Sequence, residues 1–178
     1  MWKTISSKEL FKHPRITLIE DEVLLPNGHQ TSYLRFEEKG EAVTIIAQRD
    51  DGKILLQKEY SYPPNQILFQ FPGGGVVVGE DVKVGAQREL QEEAKVKAIN
   101  LSLLGSYLLN NRRSTAKMHV FIAESLVSAP LASDIEESFE DFWLSEEEID
   151  ALISKGEIIN GNVLASWVLF KNHKLNLL

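Results

Sequence analysis

The chain has 178 residues, of which 43% are hydrophobic and 25% charged, a composition typical of a globular protein with one principal domain. Its net charge of −7 provides no basic surface for nucleic acid or an anionic membrane, so we expect neither as a partner. The chain contains no cysteine, which excludes disulfides and thiolate metal ligands.

The N-terminal part contains no apolar run of signal-peptide length, and no stretch of the chain approaches a membrane span. We therefore expect a cytoplasmic protein. Residues 16–38 alternate between apolar and polar side chains around Pro26-Asn27-Gly28, which predicts a β-hairpin. We expect residues 1–40 to form a small N-terminal β subdomain and residues 41–178 to form the main domain. A hairpin of this size cannot bury its own apolar face, which favours a homodimer.

The rest of the chain predicts a mixture of strands and helices. We expect strands on both sides of an Asp51-Gly52 turn in 41–60, a loop around a short strand in 61–75 and a helix over about 80–95. Strands are then expected in 100–111 and 117–126, followed by an acidic loop in 131–140 and a strand in 139–144. A helix should start with a capping box at Ser145 and end near Gly156, and a buried helix is expected in 162–174. This mixture predicts an α/β or α+β layered fold.

The predicted helix over 80–95 concentrates three carboxylates, Glu89, Glu92 and Glu93, within five positions. Like charges four residues apart on a helix cost about 0.2–0.5 kcal/mol, so this flank is either solvated or bound to a cation. Arg88 lies beside Glu92 and could hold that carboxylate in one orientation. A glycine turn at 73–75 precedes the helix and allows close backbone approach to a ligand, and hard oxygen ligands suit Mg²⁺ or Mn²⁺.

The spacing of these residues resembles a known motif. Gly74 is followed by five residues and Glu80, then by seven residues and the run Arg-Glu-Leu-Gln-Glu-Glu-Ala-Lys-Val at 88–96. This pattern resembles the Nudix box, with Lys95 at the position where the family has a glycine that ends the helix. The resemblance implies the Nudix fold, a mixed β-sheet sandwiched between helices, and hydrolysis of a nucleoside diphosphate linked to another group X.

The same resemblance assigns roles within the box. It implies Glu89 and Glu93 as the principal ligands of Mg²⁺, for which Mn²⁺ could substitute. It implies Glu92 and Glu80 as supporting ligands and the backbone carbonyl of Gly73 as a further one. Arg88 is implied as the residue that orients the carboxylates, and the backbone at Gly74 as a contact for the substrate.

The segment before the box resembles the ADP-ribose and nucleoside-diphosphate-sugar pyrophosphatase branch of the family. Gln57, Tyr60 and Tyr62 stand in its characteristic stretch, and Gln70 replaces a glutamate. In this branch the N-terminal strands exchange between protomers, which implies a homodimer. The branch usually has a proline about fifteen residues after the box, whereas this chain has none between Pro72 and Pro130.

The substrate therefore stays open at this point. A nucleoside-diphosphate sugar such as ADP-ribose is the leading expectation. The alternatives are a nucleoside triphosphate, a dinucleotide or a capped RNA end, or a ligand sensor without catalysis.

Three residues outside the box have two interpretations each. Arg112 and Arg113 could pair with a phosphate, since guanidinium groups fit its oxygens, or could simply be solvated in a polar loop. Tyr60 could stack on a base or sugar, or belong to the core. His119, in an apolar strand, is expected to be structural.

Hydrolysis also needs a general base that metal binding does not occupy. By its position in the branch, the acidic loop before the strand at 139–144 supplies it, with Glu137 as the first candidate and Glu136 as the second. Glu92 is the candidate within the box.

Overall fold

The computed structural model describes residues 1–38, 40–132 and 138–175. The strands are β1 Lys3–Lys12, β2 Ile16–Leu24, β3 Gln30–Glu38, β4 Ala42–Ala47, β5 Ile54–Ser61, β6 Gln66–Gln70, β7 Val96–Leu108, β8 Lys117–Ser128 and β9 Glu140–Leu144. The helices are α1 Val82–Glu93, α2 Glu146–Ser154 and α3 Gly161–Lys174. None of the helices in the described part of the chain is both long and apolar enough to cross a bilayer.

The first three strands form an antiparallel sheet of their own, in the order β1-β2-β3. The predicted hairpin is confirmed as β2 and β3, with Gly28 at a φ of 81° in the turn. Strand β1 was not predicted. All of its residues are exposed, and two register shifts against β2 break the alternation by which a strand is recognised.

The other strands form two further sheets. One has the order β4-β8-β7, with β4 parallel to β8 and β7 antiparallel to it. The other is antiparallel, in the order β6-β5-β9. The expected strands and turn around Gly52 are present, but β4 and β5 belong to different sheets and meet only at a Gln48–Ile54 bridge.

Helices cover both faces of these two sheets. Ala86 and Leu90 of α1 are completely buried against Ile45, Leu55 and Phe121 on one side. On the other side, residues of α2 and α3 pack against the opposite face in a second core cluster made of Ile46, Leu56, Ile122, Ile149, Trp167, Phe170 and their neighbours. The expected arrangement of a mixed sheet between helices is therefore confirmed.

Candidate metal and pyrophosphate site

The glycine turn before α1 runs beside β4 and is tied to it by backbone hydrogen bonds and an isolated bridge between Ala42 and Gly75. Val43 N donates to the Gly74 carbonyl at 2.9 Å, and Ile45 N donates to the Pro72 carbonyl at 2.8 Å. The carbonyls on both sides of Gly73 are therefore used by β4. Gly73 itself has a φ of 150°, and a Cβ there would lie 2.2 Å from the Val43 carbonyl oxygen. Glycine is therefore required at this position.

This turn lies against the two carboxylates that were predicted as principal metal ligands. Gly73 N donates to Glu93 Oε2 at 2.9 Å. A Cβ on Gly74 would lie 2.9 Å from Glu89 Oε2, so the backbone there touches the second carboxylate. Glu89 and Glu93 are only 8% and 7% exposed. The structure thus brings together both glutamates and the two glycines named from the sequence.

Helix α1 starts in a way that places a third carboxylate beside the turn. Asp81 caps the helix by accepting from Lys83 N at 2.9 Å and from Val84 N at 3.3 Å. Glu80, just before the cap, accepts from Val77 N at 3.0 Å, which folds its side chain back over the helix start.

Arg88 connects the acidic side chains of the box. Its Nη1 donates to Glu89 Oε1 and to Glu92 Oε2, both at 2.8 Å. Its Nε and Nη2 donate to the two oxygens of Glu80 at 3.3 and 3.2 Å, and Nη2 also reaches the Gly75 carbonyl at 3.1 Å. The Arg88 guanidinium lowers the pKa of Glu80, chiefly by hydrogen bonding, so Glu80 stays ionised.

The end of α1 shows how Lys95 replaces the glycine that ends the helix in the Nudix box. This residue adopts a φ of 61°, the left-handed conformation that glycine usually supplies after a helix. Its Nζ donates to the carbonyls of Glu92 at 2.7 Å and Leu131 at 2.9 Å. These bonds satisfy a carbonyl at the helix end, so the turn forms without glycine.

Tyr60 and Arg113, which the sequence also suggested for the site, contact residues outside the box. Tyr60 is 53% exposed and, by strand alternation, lies on the face of β5 opposite to α1, where its hydroxyl contacts Asn65 Oδ1 at 2.9 Å. Arg113 Nη1 donates to the Leu34 carbonyl at 2.8 Å and lies over the Tyr33 ring.

Arg112 is exposed in the same β7–β8 loop, and its backbone carbonyl accepts from the Tyr33 hydroxyl. This loop is thereby docked on the N-terminal sheet.

His119 Nε2 lies 2.8 Å from Glu41 Oε2. The two candidates for the general base, Glu136 and Glu137, lie outside the described residues.

Gln57 was named from the sequence only as part of the branch's characteristic stretch, and its partner Asp141 was not predicted at all. Gln57 is completely buried, and its Nε2 donates to Asp141 Oδ1 at 2.9 Å and approaches the Glu93 carbonyl at 3.5 Å. The signal was present, because Gln57 follows three apolar residues in a central strand where a polar side chain needs a partner.

The donor set fits a hard divalent cation. Among the residues that the structure describes, no three acidic or histidine side chains converge closely enough to chelate an ion by themselves. Mg²⁺ does not require this, since it is usually held by one or two carboxylates, with waters and substrate phosphates completing the octahedron. Glu89, Glu93 and the Gly73 carbonyl would provide such a partial set of oxygen ligands.

Comparison with known proteins agrees with this geometry. The family model described as the NUDIX domain matches residues 38–166, and the nucleoside diphosphate sugar hydrolase N-terminal domain matches residues 2–33. An ADP-ribose pyrophosphatase of Bacillus subtilis is 32% identical over 70% of this chain and 66% of its own length. One of Mycobacterium tuberculosis is 29% identical over 92% of this chain and 80% of its own length. The crystal structure of an ADP compounds hydrolase superposes with a TM-score of 0.90 at 21% identity, covering 99% of this chain and 95% of the other.

Proposed function

The chain belongs to the Nudix family, as its box predicted, and on that premise we propose that it hydrolyses the pyrophosphate bond of a nucleoside-diphosphate sugar, with ADP-ribose as the leading candidate. The observation that carries the proposal is the pair of buried carboxylates, Glu89 and Glu93, held against the backbone of Gly73 and Gly74. The N-terminal match at residues 2–33 and the two ADP-ribose pyrophosphatases among its relatives favour a sugar as the second half of the substrate.

In this proposal Glu89, Glu93 and the Gly73 carbonyl hold Mg²⁺, with Mn²⁺ as a substitute and Glu92 as a supporting ligand. The bound ion would neutralise charge on the pyrophosphate and lower the pKa of a coordinated water. Arg88 keeps Glu89 and Glu92 oriented through its 2.8 Å hydrogen bonds.

The proton of the attacking water has to pass to a carboxylate. We assign this role to Glu137, with Glu136 second and Glu92 as the candidate inside the box. A positioned general base contributes about 10²–10⁴-fold, so Glu137→Gln is expected to lower kcat by about 10²-fold or more and to leave metal affinity unchanged. Wild-type kcat in both Glu137→Gln and Glu136→Gln would move the base to Glu92.

Contacts with the nucleotide half are proposed for the backbone at Gly74 and for Arg112 in the β7–β8 loop. The Arg113 guanidinium already contacts the Leu34 carbonyl and the Tyr33 ring, so Arg113 would contribute by holding the β7–β8 loop in place and not by contacting the substrate. Guanidinium groups are well suited to phosphate oxygens, and the overall charge of −7 leaves few other groups to attract the substrate.

The proposed homodimer is supported by exposed apolar side chains in β1 and at Trp2, the residue before it. Trp2, Ile5, Leu10 and Phe11 are between 44% and 57% exposed, an apolar density unusual for a solvated strand. Light scattering that gives the monomer mass of 20.1 kDa at micromolar concentration would contradict it.

The activity is tested by incubating the protein with a panel of nucleoside-diphosphate derivatives and measuring phosphate released by an added phosphatase. Turnover is expected with Mg²⁺ or Mn²⁺ and is expected to stop in chelator. Glu93→Gln should abolish most turnover, whereas Glu157→Gln, at an exposed site after α2, should keep wild-type rates. Full turnover in chelator, or by Glu93→Gln, would refute the proposal.

A further inference from the structure

A line of polar side chains crosses the sheet β6-β5-β9 beside the box helix. Gln57 of β5 lies directly opposite Gln70 of β6 and opposite Asp141 of β9, so all three side chains point to one face. Glu59, two positions along β5, extends the line on the same face. We call these four residues the polar row.

The polar row faces α1. Leu55 and Trp143, on the same face of the same strands, pack in the core cluster that contains Ala86 and Leu90 of α1. The opposite face is apolar, with Leu56, Phe69 and Phe142 packed on the α3 side. Along the row, Gln57 is completely buried, Glu59 and Gln70 are half-buried and Asp141 is exposed, so the row runs from the interior of this face to its accessible edge.

The polar row also adjoins the proposed pyrophosphate site. Gln57 Nε2 lies 3.5 Å from the carbonyl of Glu93, whose carboxylate accepts from Gly73 N at 2.9 Å. Gln70 lies at the end of β6, and the chain continues from it directly into the glycine turn.

Gln57 has an unsatisfied acceptor. Its side chain is completely buried, its Nε2 is used by Asp141, and its Oε1 has no hydrogen-bond partner within the described structure. An unpaired buried acceptor costs about 1–3 kcal/mol, so the chain retains Gln57 here at a cost in stability.

The chemistry of the row selects the kind of group it can bind. It contains two amides and two carboxylates and no cation. Lys58 lies on the other face, 4.8 Å from the centre of the Phe69 ring. A phosphate would be repelled here, whereas hydroxyl groups find both acceptors and donors. Burial also raises the pKa of Glu59.

We propose that Glu59, Gln70 and Asp141 form the subsite for the hydroxyl groups of the sugar half of the substrate, with the buried Gln57 positioning Asp141 through its 2.9 Å hydrogen bond. This inference rests on the proposed function and specifies which residues distinguish a sugar from other groups X. It places sugar recognition on the β6-β5-β9 sheet, separate from the carboxylates of α1.

The test compares ADP-ribose with the β-methyl ester of ADP, which has the same pyrophosphate linkage but no hydroxyls in its second half. Glu59→Gln and Asp141→Asn are nearly isosteric, and each is expected to lower kcat/KM for ADP-ribose by about 10-fold or more. Both should leave kcat/KM for the methyl ester within about two-fold of wild type. Glu140→Gln, which changes the neighbouring exposed residue of β9, is the matched control and should alter neither value.

The outcomes separate the two proposals. If the wild-type protein hydrolyses the substrates but the variants lose activity on both equally, or on neither, the polar row is not a sugar subsite and the proposed function stands. If the wild-type protein hydrolyses neither these compounds nor any other nucleoside-diphosphate sugar, the proposed function fails and the subsite with it. Melting temperatures of all variants within a few degrees of wild type exclude unfolding as the cause.

Discussion

The three successive glycines before α1 have different surroundings, which gives a sharp test of the site geometry. A Cβ added at Gly73 would lie 2.2 Å from a backbone oxygen of β4. A Cβ at Gly74 would have the Glu89 carboxylate as its nearest neighbour, whose three atoms would lie at 2.9, 3.0 and 3.1 Å. A Cβ at Gly75 would meet nothing within 4 Å. Alanine at these positions should therefore have three distinct effects.

Gly74→Ala is the informative variant. An unstrained contact to carbon lies near 3.5 Å, so the Glu89 carboxylate must move by about 0.5 Å. Metal–oxygen distances in a functional site tolerate about 0.2 Å, so this shift should weaken Mg²⁺ binding by about 10-fold and lower kcat by about 10²-fold. The conflict is with the end of a side chain, and stability should therefore change by less than about 1 kcal/mol.

The neighbouring variants are the controls. Gly73→Ala combines a backbone clash with a φ of 150°, and we expect it to lose about 3 kcal/mol or more of folding free energy. Gly75→Ala should be neutral or stabilised by up to about 1 kcal/mol, because it restricts the unfolded chain. Urea denaturation, calorimetric titration of Mg²⁺ and turnover of ADP-ribose measure the three effects. Wild-type Mg²⁺ affinity and kcat in Gly74→Ala, or an equal loss in Gly75→Ala, would refute the assignment of Glu89 as a ligand held by this turn.

Three further predictions follow from other contacts. Arg88→Lys should lower Mg²⁺ affinity by about 10-fold with the fold intact, because one ammonium cannot hold all the acceptors of the guanidinium; unchanged calorimetric affinity would contradict this. Lys95→Ala should lower the free energy of unfolding, measured in urea, by about 1–2 kcal/mol, because alanine makes neither hydrogen bond to a carbonyl and is strained at a left-handed φ. Lys95→Gly should stay near wild type, because glycine adopts this φ without strain. Equal free energies of unfolding for the two variants would contradict the prediction. Hydrogen bonds from Arg35 and Ser7 lower the pKa of Asp21, so its contribution to stability is complete above its usual pKa of about 4 and is lost as the pH falls further. The free energy of unfolding of Asp21→Asn should therefore depend less on pH below about 4 than that of wild type, and parallel curves would exclude Asp21 as an acid-sensitive group.

The box was predictable from the sequence because its chemistry fixes residue types at fixed spacing along one helix and one turn. The crowded glutamates and the glycine turn were visible in the spacing, whereas the roles of Glu89, Glu93 and Gly73 came from the resemblance to the Nudix box. That β4 holds the turn by its hydrogen bonds was not predicted. The capping box at Ser145 was likewise predictable from its spacing, and the structure contains both of its hydrogen bonds.

Features that depend on distant partners were not predictable. The residues of β4 and β5 show a hairpin pattern, yet β4 pairs with β8, which lies some seventy residues further along the chain. Gln57 and Asp141 are brought together only by the pairing of β5 with β9. Strand β1 has no buried residue and hence no alternation to detect. The alternation of apolar residues in a segment predicts whether it forms a strand, whereas the strand with which it pairs depends on the rest of the fold.

The two proposed ligand carboxylates are held from different sides, and this explains how α1 tolerates three crowded glutamates. Glu93 accepts from the backbone of the glycine turn, whereas Glu89 accepts from Arg88 on the helix itself. Repulsion between side chains four residues apart costs about 0.2–0.5 kcal/mol, less than one hydrogen bond to a charged group contributes, at about 1.5–3 kcal/mol. The carboxylates are therefore oriented before any ligand binds, one by a turn that only glycine can form and one by a guanidinium. Changes that act through Glu93 and changes that act through Arg88 should therefore have additive effects on the free energy of metal binding. Gly74 and Arg88 both touch Glu89, so the effects of substitutions at these two positions should not be additive.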